Sequence, residues 1–116
     1  MIDISKIKKL LPESELSEIQ PCTTKGKVQF HLLLSGKREI THKILDISYL
    51  AGAMDADKNF SDIKKSPELG VVKAKYENAD LSVLASGRVV VRNVDDEKQA
   101  QNILETLAPI LKNSIF

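Results

Sequence analysis

Between Val71 and Asn93 the side chains alternate between apolar and polar in three successive runs, and a long amphipathic segment follows at once. Nothing else in the chain restricts its fold as strongly. Period-two alternation gives a sheet one greasy face, and a helical stripe of matching length must cover it. Residues 71–76, 81–85 and 88–93 are the expected strands, the last two joined through a Ser86-Gly87 turn. Ala100, Ile103, Leu104, Leu107 and Leu111 make the covering stripe, with Asp95 placed to cap the helix and Pro109 expected to kink it near its end.

Upstream, Ile4, Ile7, Leu10 and Leu11 predict a short helix over 3–11, with Asp3 as its cap and Pro12 as its stop. A helical turn is expected around 13–19, where Leu16 and Ile19 are three apart. From Lys27 the period becomes two: Val28, Phe30, Leu32 and Leu34 point one way, Gln29, His31 and Leu33 the other. A returning strand is expected over 38–43, carrying Ile40 and His42. Ile47, Leu50, Ala51 and Met54 then predict a helix behind an Asp46 cap, and the polar stretch 55–65 reads as irregular. The expected fold is α+β, a curved antiparallel sheet with helices on one face. Residues 1–25 form an N-terminal helical extension and residues 26–116 the main domain.

The composition sets bounds on function. A chain of 116 residues holds one core. With 17 Lys and Arg against 16 Asp and Glu, bulk charge does not hold it to a polyanion, so a basic surface must come from local clustering. Apolar runs such as residues 30–34 are too short to span a membrane, and the N-terminus has no signal-peptide pattern, so a cytoplasmic protein is expected. Cys22 is the single cysteine, which excludes an intramolecular disulfide and a thiolate-rich zinc site.

Candidate chemistry is sparse. Asp55, Asp57, Asn59 and Ser61 resemble the opening of a calcium loop, but Phe60 stands where the turn glycine belongs and Ser66 where the bidentate glutamate belongs. Cys22, His31 and His42 are candidates for a metal or thiol site, with no spacing that fixes them together. Asp95, Asp96 and Glu97 fall in a first helical turn, where capping accounts for them. Gly36 and Gly87 open no phosphate loop, and Ser86 lacks the hydrolase elbow, so no enzyme, cofactor or metal is expected.

A basic face is the most useful feature. If the last helix covers Val72, Ala74, Val83, Ala85, Val89 and Val91, alternation sends Lys73, Lys75, Arg88 and Arg92 to the other side, with Leu84 and Val90 among them. That mixture suits an anionic partner. Aromatic residues for base stacking are absent from it.

The run LSVLASGRVVVRNVDDEKQAQNILETLAPIL, residues 81–111, resembles one repeat of the TATA-box-binding-protein family: a hairpin around an S-G-[KR] turn, then a long helix at the same spacing. At the level of element order the resemblance extends over 26–116. It implies a TBP-like half-saddle, and in that family two repeats form a saddle whose concave sheet binds the DNA minor groove. Leu84 stands where the family has a wedging phenylalanine and Glu68 lies near the other wedge position; Val90 keeps a groove-facing valine, and Arg92 replaces a threonine. With one repeat present, the resemblance implies a homodimer if the saddle is to be rebuilt.

The reading that results is a non-catalytic binding or scaffolding module acting through its open sheet face. Protein and nucleic acid both stay open as partners. A nucleic-acid module would use Lys73, Lys75, Arg88 and Arg92, whereas a protein-interaction module would use Leu33, Leu84 and Val90.

Overall fold

The computed structural model describes residues 3–17, 19–21, 26–36 and 43–116. Helix α1 (Ser5–Leu10) is followed by two short strands, β1 (Glu15–Leu16) and β2 (Gln20–Pro21), and by β3 (Val28–Leu33). Helix α2 (Ile47–Ala56) leads into β4 (Phe60–Ser66), β5 (Val71–Tyr76), β6 (Ala79–Leu84) and β7 (Arg88–Val94), and α3 (Glu97–Ser114) closes the chain. Strands β4 to β7 form an antiparallel meander, and β3 adds antiparallel to β7. The sheet order is β1-β3-β7-β6-β5-β4, with β2 also paired to β3. The α+β expectation therefore holds.

Alternation sets which face is covered. Val72 and Ala74 of β5, Leu81 and Val83 of β6, and Val89 and Val91 of β7 are buried, as is Ala85 just beyond β6. Against them pack Ile103, Leu104, Leu107 and Leu111 of α3, with Leu50 and Met54 of α2. Burying side chains of this size contributes roughly 1.5–3 kcal/mol each. Ile7 and Leu11 join the same core, and α1 packs against α3. The helix stripe, the sheet alternation and the Asp46 cap, whose carboxylate accepts from the Tyr49 amide, agree with the sequence reading.

Several elements differ from it. In place of the helical turn expected around 13–19 stands β1, with β2 just beyond it, both paired to β3. Leu16 lies opposite Leu32, Ser17 exchanges hydrogen bonds with the backbone of His31, and Leu16 and Ile19 pack on the core. The backbone groups on the outer edge of β3 draw this segment into pairing, which outweighs its weak helical spacing. The polar stretch 55–65 contains β4. As an edge strand it needs few apolar side chains, and its register shifts between Ser61 and Lys64, beside Asp62 at a φ of 50°.

Boundaries shift as well. Helix α1 starts at Ser5 and not at residue 3, with Asp3 accepting from the Ser5 amide ahead of it. The N-cap of α3 is Asp96 and not Asp95, and α3 continues through Pro109 to Ser114. The strand expected over 81–85 runs from Ala79 to Leu84. The strand expected over 38–43 lies outside the described residues apart from Lys43.

The Ser86-Gly87 turn holds. Its Gly87 amide donates to Leu84 at 2.9 Å, and Gly87 has a φ of 97°. That φ is what calls for glycine; a Cβ there would also stand 2.7 Å from Ile44 Cδ1, which would have to turn aside.

Candidate binding face

The helices leave one side of the sheet uncovered among the described residues, and the strand registers fix what it displays. One row across the strands runs His31, Val90, Ser82, Lys73, Lys64; the row two residues along runs Arg92, Asp80, Lys75, Ser61. At the opposite end Leu33 pairs with Arg88, and Leu84 with Val71. Because pairing preserves the face, each row lies on one side of the sheet. Lys73, Lys75, Arg88 and Arg92 are exposed there, and Leu84 and Val90 are half-buried between them. All six side chains expected on the open face are found on it.

They do not converge on one spot. A depression of about 630 Å³ is lined by Lys73, Lys75, Val90 and Arg92, with Lys64, Asp80 and Ser82 as further walls. Arg88 instead lines a smaller depression of about 200 Å³, with Leu33 and the Ser86-Gly87 turn. Leu84 lines neither of them. The face is therefore divided into a trough between β4 and β7 and a separate corner around Arg88 and Leu33.

Within the trough, Lys64, Lys73, Lys75 and Arg92 form no ion pair with any described residue. Asp80 lies directly across from both Lys75 and Arg92 without closing a salt bridge. Lys64 and Lys73 are direct cross-strand partners, a like-charge juxtaposition that destabilises a sheet.

His31 belongs to this face too. Arg88 donates to its Nδ1 at 3.1 Å, which makes that nitrogen the acceptor and leaves Nε2 protonated in the neutral ring. Partial burial, and then the cations of Arg88 and Arg92, hold the imidazole below its ordinary value. Of the proposed metal or thiol set Cys22, His31 and His42, only His31 is among the described residues, and two guanidinium groups beside it oppose a bound cation. No group of metal-ligating side chains occurs among the described residues.

The calcium-like run is dispersed. Asp55 lies in α2, Asp57 accepts from the amide and side chain of Asn59 in a tight turn, and Ser61 lies in β4. Asp96 accepts from the Gln99 amide as the cap of α3, while Asp95 accepts from Asn78 and Lys27. Asp95 thereby ties the β5–β6 turn to the start of α3.

The sequence reading did not place Lys64, Asp80 and Ser82 on the face; His31 it set with Leu33 on the far side of β3 but assigned to the metal or thiol set. Asp80 and Ser82 alternate with Leu81 and Val83 and were readable by the same rule that gave Lys73. Lys64 had no such signal, because β4 lacks alternation.

No helix is long and apolar enough to cross a membrane among the described residues. The chain matches no protein-family model, no curated protein and no solved structure.

Proposed function

We propose that this protein is a non-catalytic binding module whose open sheet face takes an acidic, partly aliphatic segment of a partner protein. The observation that carries the reading is a face with Lys64, Lys73, Lys75, Arg88 and Arg92 exposed against Asp62 and Asp80, and with Val71, Leu84, Val90 and Leu33 half-buried alongside. Acidic groups of the partner meet the trough, and aliphatic groups meet Leu84 and the Leu33 corner.

A second reading is a nucleic-acid module. Strand, helix, four-stranded meander and helix in that order support the resemblance to one TATA-box-binding-protein repeat, and two copies paired through a homodimer would extend the cationic surface. Against it, Leu84 replaces a wedging aromatic, the face carries no Phe, Tyr or Trp among the described residues, and Asp80 stands between Lys75 and Arg92.

A short oligoglutamate and a short mixed-sequence DNA duplex, each titrated over a salt series, separate the readings. Oligoglutamate should bind, and the variant with Lys73, Lys75, Arg88 and Arg92 all changed to alanine should lose that binding. Unchanged affinity in the variant contradicts the first reading. Tighter binding of the duplex with a steep salt slope, together with a dimeric mass in solution, favours the second reading.

A further inference from the structure

We propose that the trough between β4 and β7 is a binding site for a compact phosphate-bearing small molecule of the diphosphate class, held by Lys64, Lys73, Lys75 and Arg92. The inference rests on the open face being the binding surface, and assigns one part of that face a ligand chemistry of its own. Lys64 and Lys73 stand directly opposite each other across β4 and β5, and neither forms an ion pair with a described residue. Cross-strand partners have Cβ atoms about 5 Å apart, so one compact dianion reaches both ammonium groups.

Lys75 and Arg92 line the same depression from β5 and β7. Lysine offers three rotatable donors and arginine a planar fork, which together suit the several oxygens of a diphosphate better than the two of one carboxylate. Ser82 lies between Lys73 and Val90 in the same row, and its hydroxyl forms no hydrogen bond to a described residue. It supplies a further donor. The depression of about 630 Å³ has room for such a ligand.

The distribution of acids limits the ligand's extent. Asp62 and Asp80 also line the depression, so a continuous polyanion laid across the strands meets negative charge at both.

Inorganic pyrophosphate titrated into the isotope-labelled full chain at low ionic strength tests the proposal. Expected are saturable amide shifts at Lys64, Lys73, Lys75, Ser82 and Arg92, with Leu33 and Arg88 unmoved. Lys64→Ala should weaken binding by about tenfold. Lys64→Glu should abolish it while raising the thermal midpoint, since the opposed charges become complementary and the gain in stability reports an intact fold. Shifts that never saturate and spread over every lysine, or unchanged affinity in Lys64→Ala, overturn the site. Oligoglutamate binding without pyrophosphate binding removes this site and leaves the partner reading standing. Pyrophosphate binding at the trough without oligoglutamate binding upholds this site and removes the partner reading.

Discussion

Arg88 donates to His31 Nδ1, and Arg92 stands further along the same strand, so a proton added to that ring faces two cations. Partial burial acts in the same direction and is the larger cause. The unfolded chain takes up this proton near 6.5, whereas the folded chain does so only at lower pH. Between those points the unfolded state binds more protons. The contribution to stability is therefore complete above the ordinary imidazole range and is lost as pH falls through it. Because the ring is only half-buried, solvent screening keeps the effect small. A proton-resonance titration should show His31 titrating below 6.5, and Arg88→Ala should move it upward. A wild-type midpoint at or above 6.5 contradicts the assigned environment.

Helix α3 begins where the polar groups of two turns meet. Asp96 caps it through the Gln99 amide, and the Gln99 side chain reaches Glu77 and Asn78 in the β5–β6 turn. Removing the cap with Asp96→Ala should lower stability by about 1 kcal/mol, read as a lower urea midpoint at unchanged slope. No loss would show that the sheet contacts of α3 hold its first turn without the cap. The legible elements are those whose side chains carry a period: α2 and α3 through their buried stripes, β5 to β7 through alternation. Strands β1 and β2 were not legible, because their pairing depends on the distant edge of β3 and not on their own residues. The polar bulged edge of β4 hid that strand, and with it Lys64. The open face was legible as far as Lys73, Lys75, Leu84, Arg88, Val90 and Arg92. Its division into a trough and a corner was not, since that follows from registers between strands.

At the scale of the whole molecule, a formal charge of only +1 conceals a strong asymmetry. One side of the sheet is sealed by helices around Val72, Val83, Val89 and Val91, and the other displays cations among aliphatic side chains. Such a surface gives affinity and steering toward an anionic partner while the core supplies stability, so charge removal on the face should leave the fold intact. The most direct measurement is a residue-resolved map of amide shifts as oligoglutamate is added to the full chain. Saturable shifts should run along the open-face residues of β5, β6 and β7 with none on α3; shifts centred on the helices, or no saturable shift anywhere on the sheet, would contradict the open face as the binding surface.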